Sequence, residues 1–135
     1  MTADVSRAPV AAPVWVDVCA YDDLIPERGA AALVHGRQVA VFRTHEGDLY
    51  ALSHRDPFSG AYVLARGILG TRGGVPTVAS PMYKQVFDLR TGRCLDDPTR
   101  VVPAFRIRRT PAGRVEVAVN GDGDGDAGAV EVAGP

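Results

Sequence analysis

The sequence contains little cysteine. Only Cys19 and Cys94 occur among its 135 residues, far apart and in no CxxC pair. A disulfide framework, or a metal site built from four thiolates, needs more cysteines than these. The low cysteine content favours a reducing compartment, and we expect a cytoplasmic protein.

Long apolar runs and a bias toward one charge are missing as well. No apolar stretch approaches the roughly 20 residues that span a bilayer, and residues 1–13 lack the basic and apolar regions of a signal peptide. The 15 basic and 16 acidic side chains give a formal net charge of -1, so no overall field would attract nucleic acid or an anionic membrane. We expect neither as a partner.

A long helical period is absent, whereas short segments with alternating apolar residues recur. Alternation with a period of two, interrupted by glycine turns, is typical of antiparallel strands. The clearest segments are 14–19, 39–42, 75–79, 86–89, 104–109 and 114–119. The pattern predicts one all-β domain over residues 14–119, an antiparallel sandwich or barrel.

Three segments do not fit this alternation. Residues 1–13 are rich in alanine and proline, and residues 120–135 repeat Gly-Asp. We expect a flexible N-terminal segment and a disordered tail, because the tail lacks the turn glycine and the final glutamate of a calcium loop. Residues 54–74 are predicted to be a long loop, close to the loop at 80–85 at one end of the domain.

Two loops and a hairpin carry the most specific pattern. The first loop contains Asp56-Pro57-Phe58, the second reads Ser-Pro-Met-Tyr-Lys at 80–84, and a Phe-Asp-Leu-Arg-Thr-Gly hairpin follows at 87–92. These runs resemble a Rieske [2Fe-2S] domain, whose loops read Cys-x-His and Cys-x-x-His. The resemblance implies a Rieske-like antiparallel β sandwich or barrel with two long loops at one end.

The residues at the four ligand positions are not cluster ligands. The resemblance places Asp56 and Phe58 at the first Cys and His, and Ser80 and Tyr83 at the second pair. A Rieske centre needs two thiolates on one iron and two imidazoles on the other. A phenyl ring has no donor atom, and hydroxyl groups are poor substitutes for thiolate and imidazole. We predict that this chain binds neither a cofactor nor a metal.

A Rieske-like domain with vacated ligand positions is similar to the small subunit of assimilatory NAD(P)H nitrite reductase. The resemblance implies a clusterless, non-catalytic subunit that binds a large subunit. That partner would carry FAD, a [4Fe-4S] cluster and sirohaem, and would reduce nitrite to ammonia in nitrate assimilation. Two alternatives stay open: a Rieske ferredoxin-type electron carrier with a working [2Fe-2S] cluster, and a stand-alone β domain that acts as a binding module.

The former cluster site is the candidate surface for docking a partner. We expect Phe58, Met82 and Tyr83 to fill the space that a cluster would occupy, with Asp56 and Lys84 at its border. Burying three such side chains does not offset the entropy of ordering two loops. We therefore expect backbone hydrogen bonds to add to this packing, and loop tips that are mobile or completed by the partner.

Two sharper interpretations of these loops have simpler rivals. Asp56 and Lys84 could form an ion pair, but two solvated side chains are the simpler interpretation. His54, Asp56 and Ser80 could form a hydrolytic triad, but Ser80 is flanked by alanine and proline and lacks the glycines of a nucleophile elbow. The sequence therefore predicts no catalytic residue.

Overall fold

The computed structural model describes residues 13–119. The N-terminal segment and the Gly/Asp tail, for which we predicted disorder, lie outside the described residues. The described residues form nine strands: β1 (Val14–Ala20), β2 (Arg28–Val34), β3 (Arg37–Arg43), β4 (Leu49–Ser53), β5 (Ile68–Arg72), β6 (Val75–Ala79), β7 (Val86–Asp88), β8 (Ala104–Arg109) and β9 (Arg114–Val119). Two 3₁₀ turns, Tyr21–Asp23 and Leu64–Arg66, interrupt them.

The strands form two antiparallel sheets. A six-stranded sheet has the order β1-β9-β8-β4-β3-β2, and a three-stranded sheet has the order β5-β6-β7. The larger sheet curls until its edge strands β1 and β2 approach each other, which makes it a half-barrel. The prediction of an all-β, antiparallel fold is confirmed. Neither 3₁₀ turn in the described range has the length or the apolar character that a membrane span requires.

Strand β3 separates two hydrophobic cores. Val39 and Val41 face the core inside the half-barrel, whereas Ala40 and Phe42 face the core between the two sheets. Because β3 is buried on both faces, residues 39–42 form a continuous apolar run. The strand expected there is present, but the alternation that we assigned to it is wrong. The second core also contains Phe87 of β7, and this packing fixes the small sheet, with its loops, against the half-barrel.

The predicted loop at 54–74 is wrong in its second half. Residues Leu64–Arg66 form a 3₁₀ turn and Ile68–Arg72 form β5, which pairs with β6. β5 is an edge strand whose side chains are mostly exposed, and Ile68 is 76% exposed. A strand that buries so little of itself carries no apolar alternation, so the periodicity could not predict it.

The hairpin after β7 depends on one glycine. Gly92 has φ +81°, a conformation that side chains with a Cβ rarely adopt. A Cβ at this position would also collide with the carbonyl oxygen of Val102, and the Gly92 carbonyl accepts a 2.7 Å hydrogen bond from the Val102 amide. The hairpin therefore requires glycine both for its backbone angle and for the close approach of the next loop.

Candidate functional site

Two loops meet at one end of the molecule. Loop A (residues 54–63) follows β4, and loop B (residues 80–85) connects β6 to β7. Arg100, from a third segment, donates a 3.1 Å hydrogen bond to the Pro57 carbonyl of loop A. We call loop A, loop B and Arg100 the tip. Its two loops lie side by side, as the sequence predicted.

A buried hydrogen bond joins the two loops. The Ser80 hydroxyl donates to Asp56 Oδ2 over 2.5 Å. Asp56 is 0% exposed and Ser80 is 1% exposed. We call this pair the clamp. Its two residues stand at the positions that the Rieske resemblance gives to the two cysteine ligands, so a hydrogen bond lies where a Rieske domain has an iron bound by two thiolates.

The carboxylate of Asp56 is also bound by loop A itself. Its Oδ1 accepts hydrogen bonds from the amides of Phe58 and Ser59, over 2.7 and 3.4 Å. Burying a carboxylate is costly unless such donors replace water, and here both oxygens have one. The interpretation of Asp56 and Lys84 as two solvated side chains is therefore wrong for Asp56. Within the described residues Lys84 makes no ion pair with it, and Lys84 is exposed.

Backbone hydrogen bonds close each loop separately. In loop A the Gly60 amide donates to the Asp56 carbonyl over 2.7 Å, and the Asp56 amide donates to the Ala61 carbonyl over 2.8 Å. In loop B the Lys84 amide donates to the Ser80 carbonyl over 2.9 Å. The Ser80 hydroxyl oxygen also accepts a 3.2 Å hydrogen bond from the Met82 amide. These bonds supply the backbone support that we expected in addition to side-chain packing.

The three side chains expected to fill the site do not behave alike. The Phe58 ring is half-buried and lies 6.2 Å from the Phe87 ring, centroid to centroid. Met82 is 45% exposed and Tyr83 is 60% exposed. The expectation is therefore wrong for Met82 and Tyr83. The clamp occupies the space between the loops, and the turn of loop B directs these two side chains outward.

This arrangement does not fit a [2Fe-2S] cluster. The four vacated positions hold a buried carboxylate whose oxygens are both hydrogen-bonded, a phenyl ring packed on Phe87, a buried hydroxyl and an exposed phenol. Neither thiolate nor imidazole is among them. Among residues 13–119, no three His, Cys, Asp or Glu side chains are grouped so that they could hold a metal ion.

His54 ties loop A to the following 3₁₀ turn. Its Nδ1 accepts a 3.1 Å hydrogen bond from the Ala65 amide, and the side chain is 7% exposed. Burial, helped by the positive charge of Arg66, lowers the pKa of His54 below its ordinary value. The ring is thus neutral, with its proton on Nε2. Because Nδ1 is engaged with Ala65 and the Ser80 hydroxyl with Asp56, the bonds of these residues are structural and form no hydrolytic triad.

One residue of the tip, Arg100, has no signature in the sequence. The Arg100 guanidinium lies 5.1 Å from the Phe58 ring centroid, in addition to its bond to Pro57. Arg100 is 43 residues beyond Pro57 in the chain, and no local pattern could associate the two. Only the position of the segment after the 87–92 hairpin brings it to loop A.

Comparisons with known proteins agree with this geometry. Residues 14–118 match the family of Rieske-like [2Fe-2S] domains. A solved structure from Mycobacterium tuberculosis, assigned as an NADH-dependent nitrite reductase small subunit, superposes with a TM-score of 0.79 at 51% identity, over 81% of this chain and 97% of that one.

Two curated relatives are similar over the same domain. The nitrite reductase (NADH) small subunit of Escherichia coli K12 is 41% identical over 95 residues, which are 70% of this chain and 88% of that protein. The nitrite reductase [NAD(P)H] large subunit of Klebsiella oxytoca is 40% identical over 94 residues, which are 70% of this chain but 10% of that protein. The chain belongs to the family of nitrite reductase (NADH) small subunits, which is built on the Rieske-like domain.

Proposed function

We propose that this chain is the clusterless small subunit of a cytoplasmic NAD(P)H-dependent nitrite reductase, and that it acts by binding the large subunit. The complex reduces nitrite to ammonia in nitrate assimilation, and the isolated chain is not catalytic. FAD, the [4Fe-4S] cluster and sirohaem belong to the large subunit. A cytoplasmic location agrees with an NAD(P)H donor and with the two free cysteines.

The clamp is the observation that carries this proposal. A Rieske electron carrier needs a cluster at the tip, but Asp56 and Ser80 satisfy each other there by a hydrogen bond. A domain that keeps the fold and both loops without the redox centre retains the shape of the tip and loses electron transfer. Binding is the function that such a tip supports.

The Klebsiella relative supports the identity of the partner. Its large subunit contains a segment of 94 residues that is 40% identical to this chain. In that protein a domain of this type is therefore covalently joined to the large subunit. We infer that here the same association forms between two separate chains.

The tip is the proposed docking site for the large subunit. Met82, Tyr83 and Lys84 are exposed and supply the contacts. Asp56 and Phe58, the two other residues proposed from the sequence, support this surface from inside the domain. The first is buried in the clamp and the second packs on Phe87. Binding at the tip would also complete the loop surfaces that the isolated chain leaves open to solvent.

Co-expression with the large subunit of the same organism tests the proposal. We expect the two chains to elute as one complex in size-exclusion chromatography with light scattering. Nitrite-dependent oxidation of NADH or NADPH should be higher with the full chain than with the large subunit alone. Failure to form a complex would overturn the proposal.

The purified chain alone separates this function from the ferredoxin alternative. We expect a colourless protein without acid-labile sulfide. Visible absorbance of a [2Fe-2S] cluster with two acid-labile sulfides per chain, after anaerobic purification, would instead assign electron transfer to this chain.

A further inference from the structure

The exposed charged groups of the tip are all cationic. Arg55 in loop A, Lys84 in loop B and Arg100 are exposed. Loops A and B together contain one carboxylate, Asp56, and it is 0% exposed because it belongs to the clamp. Solvent and any partner therefore meet positive charge at the tip, although the whole chain has a formal net charge of -1.

The carboxylates next to the tip are already engaged. Asp96 forms a 3.0 Å ion pair with Arg72 and accepts a 2.9 Å hydrogen bond from the Val86 amide. Asp97 accepts hydrogen bonds from the amide and the hydroxyl of Thr99. These bonds, and to a smaller extent the positive charge of Arg100, lower the pKa of Asp97. Arg55 and Lys84 have no ion pair within residues 13–119. At least these two cations remain available to a partner.

Exposed apolar side chains accompany the cations. Tyr62 is 51% exposed, Met82 is 45% exposed and Tyr83 is 60% exposed. Tyrosine, methionine and arginine are the side chains that protein interfaces favour, with apolar contacts at the centre and charges at the rim. This composition fits a protein partner whose surface is apolar in the middle and acidic around it.

The backbone at Lys84 adds a separate argument. Lys84 has φ +63°, a left-handed conformation that costs a lysine about 1 kcal/mol or more and costs glycine nothing. A lysine that adopts this strained conformation at an exposed position points to a use for its side chain. The Lys84 amide is bound to the Ser80 carbonyl, so the backbone of this turn is tied to a clamp residue while the Lys84 side chain is exposed.

We propose that the tip binds an acidic surface of the large nitrite reductase subunit, with Tyr83 as the apolar anchor and Lys84 as the main electrostatic contact. This inference rests on the proposed function and specifies the chemistry of its docking site. The large subunit is the chosen occupant because a chain of that kind from Klebsiella contains a segment similar to this domain.

The test measures the affinity of the full chain for the large subunit by biolayer interferometry at about 50 and 500 mM NaCl, conditions that change the screening length several-fold. We expect a roughly tenfold loss of affinity at the higher salt concentration. Tyr83→Ala should weaken binding by about 30-fold, as an interface hot spot does. Lys84→Asn, which tolerates the left-handed backbone, should weaken binding about two- to fivefold at low salt, and Lys84→Arg should keep most of the affinity.

Glu27→Asn is the matched control. Glu27 also has a positive φ, +71°, but its amide binds the Arg43 carbonyl at the end of β3. Loop A begins at the opposite end of β3, where the His54 amide binds the Gln38 carbonyl. Glu27→Asn should leave the affinity unchanged. Thermal melts of all variants should stay close to wild type, because none of these side chains is buried.

The possible results separate the acidic docking site from the small-subunit function on which it rests. A complex whose affinity is insensitive to salt, Lys84→Asn and Tyr83→Ala would overturn the acidic docking site and leave the small-subunit function standing. Absence of any complex would overturn both. Binding of a single-stranded DNA 20-mer more tightly than the large subunit would also overturn the inference, since the cations would then serve a nucleic acid.

Discussion

Replacing Ser80 by alanine tests whether the clamp holds the tip together. The substitution removes the donor to Asp56 Oδ2 and leaves a carboxylate that is 0% exposed one hydrogen bond short. A hydrogen bond to a buried charged group contributes about 1.5–3 kcal/mol, and leaving that group buried without its hydrogen bond costs at least as much. We expect the free energy of unfolding to fall by about 3 kcal/mol, which lowers Tm by roughly 10–15 °C in a domain of this size.

Urea denaturation of the full chain, followed by circular dichroism, measures this loss. Ser59→Ala, in loop A, is the control, since the Ser59 hydroxyl only accepts a 3.1 Å hydrogen bond from the Ala61 amide and its side chain is half-buried. We expect this control to cost about 1 kcal/mol or less.

The background of Asp56→Asn shows whether charge is the cause. An asparagine can still accept from the Phe58 amide through Oδ1 and donate to Ser80, but it carries no charge. In that background Ser80→Ala should cost only about 1 kcal/mol, because the neutral amide left behind is cheaper to strand than a carboxylate. A cost below about 0.5 kcal/mol in the wild type, or an equal cost in both backgrounds, would refute the reasoning.

The remaining predictions concern other parts of the domain. Because burial lowers the pKa of His54, the unfolded chain takes up a proton first as the pH falls below the ordinary value of 6.5. The contribution of neutral His54 to the free energy of unfolding should therefore be fully present above pH 6.5 and be lost as the pH falls toward the lowered pKa. Denaturation of His54→Asn across this range should show a free energy of unfolding that depends less on pH. Gly92→Ala should cost about 3 kcal/mol or more, or prevent folding, since the new methyl group meets the Val102 carbonyl. Gly73→Ala, at φ +60° with open space around it, should cost only about 1 kcal/mol, and equal losses in the two melts would contradict the collision.

The sequence was sufficient to predict the strands whose apolar side chains are buried in a core. Strands β6, β8 and β9 have the predicted bounds, and each buries apolar side chains of its segment, among them Val78, Phe105 and Val117. β5 could not be predicted, since an exposed edge strand is held by backbone hydrogen bonds to β6 and not by a buried face.

The sequence predicted where the two loops of the candidate site lie, and not which side chains they bury. The Rieske pattern located both loops correctly, yet it suggested that large side chains would replace the cluster. The structure buries Asp56 and Ser80 instead and exposes Met82 and Tyr83. Side-chain size had led us to expect the opposite, with the large side chains inside the site. Asp56 can be buried because three hydrogen-bond donors reach its carboxylate. The hydropathy of the sequence does not show how many backbone amides a folded loop will offer to a side chain.

The clamp also explains how a tip whose residues do not fit an iron cluster can serve recognition. In a free loop, ordering each residue costs about 1–2 kcal/mol, and a partner would have to supply that free energy when it binds. Here the Asp56–Ser80 bond and the backbone bonds of loops A and B order the tip before a partner arrives. Met82, Tyr83 and Lys84 are then presented outward because the polar groups below them are satisfied. Weakening the clamp should therefore reduce affinity for the large subunit even though neither clamp residue is exposed, and Ser80→Ala should bind more weakly than Ser59→Ala at a temperature where both remain folded.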